Sequence, residues 1–390
     1  MQFVTAGESH GPQLTAIVSG VPAGLKVSAS DINADLKRRQ AGYGRGGRQQ
    51  IEADEVIITS GVRFGLTLGT PIALAIANRD WANWSDRMSV TGNPPEGLMR
   101  EVTPRPGHAD LVGVLKNNSD DCRTVLERAS ARETAARVAA AGVAKELLAA
   151  LGVEVFSYVT RIGQAEWVED SPFQGPVRCN PADIELSEVR CPDAAASERM
   201  KKMIDVARVQ GESLGGTFRV VATGLVPGLG GFDVGPNRLT SQLGAALFSI
   251  PAIKGVEFGL GFEAAKRSGS DVHDPIMQSR ERGFYRSSNN AGGLEGGMTT
   301  GMPLVITAAM KPIPTLKNPL RTVNIDTLEP ALASRERGDV CAVPSAAVVA
   351  EAEVTFVLAN AYLSKFGSDN MADIKANLRT YLQRIRTQSR

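Results

Sequence analysis

Apolar stretches along this chain come in two lengths. Short ones bounded by glycine turns predict strands at Gln2 to Thr5, Leu14 to Val18, around Val56 to Ser60, at Ile72 to Ala77 and at Val153 to Thr160. Long ones predict helices from about Ser130 to Leu151 and from about Ser345 to Lys365, the second stopping at Gly367. Ser28 or Ser30 is placed to cap a helix that ends near Gln40, and Asp193 to Val209 reads as a further helix. Met371 to about Ile385 reads as a basic helix suited to a surface or subunit contact. The longest apolar run, Pro71 to Ala77, is far too short to span a bilayer.

The pattern is written twice. Gly7-Glu8-Ser9-His10-Gly11 returns as Gly211-Glu212-Ser213-Leu214-Gly215, each followed by a strand and a turn in which Gly24-Leu25 answers Gly228-Leu229. The ladder Gly61, Gly65, Gly69, Pro71 returns with the same spacing as Gly293, Gly297, Gly301, Pro303. Arg337-Gly338-Asp339 stands where Arg105-Pro106-Gly107-His108 stood, and a long helix closes each half. These echoes divide one domain into a repeat over 1–152, an insertion over 153–200, a second repeat over 201–367 and a helical tail over 368–390. The fold class expected is α/β, layered, with helices packed between or against antiparallel-rich sheets.

Composition narrows the function. Among 390 residues the net charge is +1, so an extended positive face for nucleic acid is not expected. Cys122, Cys179, Cys191 and Cys341 show neither CxxC pairing nor a histidine at zinc spacing, which points to a reduced, cytoplasmic compartment and no metal. The start, MQFVTAGESHG, has no basic lead and no apolar signal core.

Against that balanced background, Lys37 to Arg48 (KRRQAGYGRGGR) concentrates Lys37, Arg38, Arg39, Arg45 and Arg48 among glycines. Lys37 and Arg38 equally suit a helix C-terminus, but helix ends do not explain Arg45 and Arg48. Guanidinium forks match carboxylate and phosphate, so a small, highly charged substrate is expected here. Arg132 opposes the dipole of the helix it opens, in an S-x-x-E capping box from Ser130 to Glu133. It is accounted for by a bound anion or by pairing with Glu133 or Glu127. His10 in its glycine turn and His108 beside Arg105 and Asp110 are candidate acid–base groups; His273, between Asp271 and Asp274, reads more readily as a surface turn. Asp339, placed by the repeat opposite His108, would complete an acid–base pair across one cleft. The glycine-rich stretch 286–301 can press amides against a ligand or serve only as a structural ladder. Gly7-x-Ser9-x-Gly11 fits a serine-hydrolase elbow in spacing, but a single strand precedes it where several are needed.

Seven motifs in order, GESHGP (7–12), RRQAGYGRGGR (38–48), RPGHAD (105–110), SARET (130–134), RSSNNAGGLEGGMTTG (286–301), KPIPTL (311–316) and RGDVCAVP (337–344), resemble the chorismate synthase family over essentially the whole chain. The resemblance implies a β-α-β sandwich and an anti-1,4-elimination of phosphate from 5-enolpyruvylshikimate 3-phosphate, a carbon–oxygen lyase reaction that ends the shikimate pathway. It implies reduced FMN as a cofactor that is not consumed, and a homotetramer. Carried onto matching positions, it makes His10 the proton donor to the leaving phosphate, His108 a neighbour of flavin N1 and Asp339 an aid to proton removal. Arg39, Arg45, Arg48, Arg132 and Arg337 would bind substrate. Arg128, Ala129, Ser130, Pro251, Ala252, Gly296, Lys311, Pro312, Ile313, Pro314, Thr315 and Arg337 would contact FMN. No dinucleotide fingerprint is visible, so reduced flavin is expected from a separate reductase or another NAD(P)H-dependent source. Serine hydrolase and a non-catalytic anion-binding module stand as alternatives.

Overall fold

A computed structural model describes residues 1–46, 53–168, 179–335 and 338–388. The first sheet holds β1 (Gln2–Ala6), β2 (Gln13–Ser19), β3 (Val56–Ile58) and β4 (Ile72–Ala77) in the order β1-β2-β4-β3, every pairing antiparallel. Alternation sets its faces. Leu14, Ala16 and Val18 on β2 and Ile72, Leu74 and Ile76 on β4 are buried, whereas Val4 and Ile17, paired across β1 and β2, are exposed.

The second sheet holds β5 (Glu154–Ile162), β6 (Ala165–Glu166), β7 (Gly216–Thr223), β8 (Ile253–Phe258) and β9 (Leu304–Met310), again antiparallel throughout. Its order, β6-β5-β7-β9-β8, repeats the first once β6 is set aside: β5, β7, β9, β8 succeed one another as β1, β2, β4, β3 do. β5 lies in the stretch expected as an insertion, yet pairs with β7 from Glu154 opposite Thr223 to Ile162 opposite Gly216. The two glycine ladders also make the same contact. Gly61 and Gly293 both take positive φ (80° and 83°), and a Cβ there would stand 2.6 Å from the Pro71 carbonyl oxygen and 2.5 Å from that of Pro303. Glycine is required for that approach.

The helices are α1 (Ala29–Gln40), α2 (Asp110–Asn117), α3 (Arg123–Ala129), α4 (Thr134–Ala150), α5 (Ala194–Gln210), α6 (Leu239–Phe248), α7 (Val343–Phe366) and α8 (Met371–Gln388). α4 and α7 pack on each other between the sheets, α4 touching β2 and β4, α7 touching β5 and β7, with α1 and α6 beside them. This is the β-α-β sandwich. α7 is long and apolar enough to cross a membrane, but most of it is buried as the central core helix. Its two carboxylates are paired: Glu351 with Arg38 and Glu353 with Arg137.

Local signals account for the helix ends. Ser28 caps α1 by accepting from the Ser30 amide, and Asp193 caps α5 by accepting from that of Ala196. The capping box expected at α4 is half made. Ser130 Oγ accepts from the Arg132 amide across a short 3-10 turn, but Glu133 turns to Arg137 at 2.8 Å. α2, α3, α6 and the hairpin Ile276–Ser279 with Gly283–Arg286 had no counterpart among the expected elements.

Candidate active site

The N-terminal turn, the end of α1, the start of α4 and the segment after β9 meet around a cavity of about 750 Å³. That lies within the range of ligand sites, roughly 300–1,000 Å³. His10, Arg39, Arg45, His108, Arg128, Ala129, Ser130, Arg132, Pro251, Ala252, Lys311, Ile313, Pro314, Thr315 and Asp339 all line it. Pro312 and Gly296 do not; Gly296 occupies the turn between Leu294–Glu295 and Met298–Thr299. Arg48 and Arg337 lie outside the described residues.

The basic stretch divides by residue. Lys37 is exposed, as a helix-end lysine would be, and Arg38 turns into the helical layer, bonding Glu351 at 2.7 and 2.9 Å. Arg39 and Arg45 enter the cavity. Arg39, in the last turn of α1, and Arg132, ahead of α4, share the buried Asp54, with N–O distances of 2.7 and 2.5 Å. Asp54, not Glu133 or Glu127, is the acid seen paired with Arg132 among the described residues, and Arg132 Nε also donates to Asn78 Oδ1 at 2.9 Å. Burial lowers the pKa of Arg39; Asp54 opposes this, Arg132 and Arg45 add to it, and the result is about 10. Its Nε is buried without a hydrogen-bond partner among the described residues. Two guanidiniums thus converge on one buried carboxylate, a cationic arrangement chemically suited to an anion. Arg45 pairs with Asp339 at 2.7 Å, and the Gly46 amide donates to the same carboxylate at 2.7 Å.

Each cavity histidine is held at Nδ1 by a buried carboxylate. Glu127 accepts from the His10 amide (2.8 Å) and faces its Nδ1 (2.9 Å), while the ring lies 4.0 Å from Trp84. Burial would raise the Glu127 carboxyl, but His10 and Arg123 hold it below its ordinary value. Asp110 meets His108 Nδ1 and accepts from Arg105 Nε at 2.8 Å. Against burial, His108 and Arg105 hold Asp110 well below the usual carboxylate range. With Nδ1 engaged, Nε2 of each ring is the nitrogen left for proton transfer.

The wall that carries Lys311 to Thr315 is less polar, with Ile250, Pro251, Ala252, Ile313 and Pro314 facing the cavity. Arg105 donates to Thr315 Oγ1 at 3.1 Å, tying the His108 loop to this wall. Lys311 Nζ donates to the Gly107 carbonyl, and burial followed by Lys254 lowers its pKa. Arg128 donates to the Thr5 carbonyl (2.9 Å) and Oγ1 (2.6 Å).

Three other features resolve differently. Ser9 sits in a turn joining two antiparallel strands, whereas a hydrolase elbow joins a strand to a helix, so the hydrolase alternative is not supported. His273 caps the short helix Gly269–Val272 away from the cavity lining. In the glycine-rich stretch the amides of Asn290 and Ala291 donate to Asp274 (2.8 and 2.9 Å), a structural use. Glu127, Asp54, Asn78 and Trp84 were not expected as site components. The last three carry no signal in the sequence beyond residue type, and Glu127 stands out there only as a partner for Arg132.

Fold and cavity together define an α/β sandwich protein with one large cavity, cationic on one side and flanked by two braced imidazoles. The sequence model of the family described as chorismate synthase matches residues 1–363. Chorismate synthases of Aquifex aeolicus and Desulforudis audaxviator are 51% and 53% identical, each over 99% of this chain and 98% of their own lengths. A crystal structure of a chorismate synthase superposes with a TM-score of 0.80 at 42% identity, covering 99% of this chain and 98% of that one. The chain belongs to the chorismate synthase family.

Proposed function

We propose that the protein is a carbon–oxygen lyase that converts 5-enolpyruvylshikimate 3-phosphate to chorismate by 1,4-elimination, breaking the C3–O bond to phosphate and the C6–H bond. The observation that carries this is the meeting of Arg39, Arg45 and Arg132 with His10, His108 and Asp339 around one cavity. The arginines match two carboxylates and a phosphate. Arg39 and Arg132 hold the anion, and His10 Nε2 gives a proton to the departing phosphate oxygen. Glu127 keeps that ring in one tautomer. An anion drawn to Arg45 frees Asp339, whose carboxylate is placed to assist removal of the C6 proton.

Reduced FMN fits the site as cofactor. The apolar strip Ile250 to Ala252 and Ile313 to Pro314 suits a flat ring, and Lys311 and Lys254 suit its phosphate. Arg128 to Ser130 and Thr315 would complete its contacts. When bound, it supplies electron density to the substrate as the allylic C–O bond breaks. We read the protein as a homotetramer working in the cytoplasm, where its four buried cysteines stay reduced, and fed with reduced flavin by a separate NAD(P)H-dependent reductase. The matching strand orders and ladder contacts support a duplicated unit, the second copy beginning at β5.

Anaerobic incubation of the protein with the phosphorylated substrate tests the reading. Phosphate release that requires reduced and not oxidised FMN is expected. Binding without release under either condition would leave only an anion-binding module.

A further inference from the structure

One buried amide joins the two halves of the proposed chemistry. Asn78 directly follows β4, is 4% exposed and does not line the cavity. It stands at the N-cap of a 3-10 turn, Arg79–Asn83, a position where asparagine commonly bonds the next turn, but its side chain makes no capping bond. Nδ2 instead donates to the carbonyls of Gly11 (2.7 Å) and Glu8 (3.2 Å), the two residues that bracket Ser9 and His10. Oδ1 accepts from Arg132 Nε at 2.9 Å. The orientation is unambiguous, because an arginine nitrogen only donates and a carbonyl oxygen only accepts. The Asn78 amide also donates to the Pro12 carbonyl at 3.1 Å, fixing the backbone on the same turn. A continuous polar chain thus runs from the His10 turn through Asn78 to Arg132, then through Asp54 to Arg39.

We propose that Asn78 is a positioning residue that sets the spacing between the proton-donating imidazole and the arginine pair that holds the anion, so that the two act as one unit. The proposal rests on the roles given to His10 and Arg132 above. A side chain that merely filled space would not need both ends of its amide spent on these two partners. In water each bond would be replaced at little cost, but inside the protein an unmatched polar group is expensive, so the spacing is held firmly.

The test is a double-mutant cycle between His10→Ala and Arg132→Lys on kcat/KM, run in the native background and again in Asn78→Ala. In the native background the double variant should depart from the product of the singles by about fivefold or more, as expected of residues in one network. In Asn78→Ala the two effects should multiply to within about twofold. Asn78→Ala itself should lower kcat more than substrate affinity measured with oxidised FMN. Should Asn78→Ala fail to fold, Asn78→Asp serves. It has the same size and keeps the acceptor for Arg132 but loses the donor to Gly11 and Glu8. Equal coupling in both backgrounds would overturn the role of Asn78. Singles without effect on kcat/KM would instead overturn the proposed function of the site.

Discussion

His10 and His108 share one device and differ in what backs it. Both rings line the same cavity, and each gives Nδ1 to a buried carboxylate behind it. Behind His108, however, Asp110 is fully buried and also takes the Nε, Nη2 and backbone amide of Arg105, and Arg105 in turn holds Thr315. The pair braces the loop from Arg105 to Asp110 against the Lys311–Thr315 wall. Behind His10, Glu127 grips the His10 amide and ring, shares one oxygen with Arg123 at 2.9 Å, and Trp84 covers the ring face. One carboxylate is chiefly part of the architecture; the other acts mainly on the imidazole. Similar hydrogen bonds to two histidines therefore predict different consequences when each is cut.

The largest expected effect is on turnover. His10→Ala should lower kcat by roughly 10²–10⁴-fold, the usual worth of a positioned acid, and change substrate affinity little. His108→Ala should also cut turnover more than affinity; equal loss of folding in both variants would show that these turns are structural. Next comes stability. Asp110→Asn leaves the Arg105 guanidinium buried beside a neutral amide and should cost about 3–5 kcal/mol in urea unfolding. Glu127→Gln should cost clearly less stability and proportionally more kcat, and the reverse ranking would erase the contrast between the two pairs.

The same contrast has a pH signature. The Asp110 carboxyl is held below its ordinary value in the folded state, so its contribution is present above the unfolded value, about 3.9, and is lost as pH falls from there toward the folded value. The stability advantage of the wild type over Asp110→Asn should be full at pH 6 and shrink below about pH 4, read from urea midpoints. The smallest effect is expected at Trp84. Removing the ring over His10 in Trp84→Ala should lower kcat by about two- to tenfold, in keeping with a ring contact of modest energy.

How much of this was legible in the sequence follows from how far each interaction reaches. β1, β2, β4, α1, α4 and α7 were marked by local apolar pattern, serine caps and glycine turns. The arginines stood out because four of them crowd a glycine-rich stretch. Their partners did not. Asp54 meets Arg132 across 78 positions and Glu127 meets His10 across 117, and neither carboxylate carries a mark that tells it from a surface acid. The proline–glycine stretch before α2 and α3 reads as a loop and hides them, and the placement of β5 depends on pairing with β7, a long-range choice. The second ladder, in contrast, was legible as a repeat of the first because the backbone contact made by Gly61 demands glycine again at Gly293.

The central claim, that guanidiniums around Asp54 hold the polyanion while His10 serves the bond that breaks, is tested most directly by calorimetric titration of 5-enolpyruvylshikimate 3-phosphate into protein carrying oxidised FMN, which blocks turnover. Arg132→Ala should weaken binding by about ten- to a hundredfold, the worth of lost charge-assisted hydrogen bonds, and His10→Ala should stay within about threefold of wild type. Wild-type affinity in Arg132→Ala, or a loss in His10→Ala as large as that expected for the arginine, would contradict it.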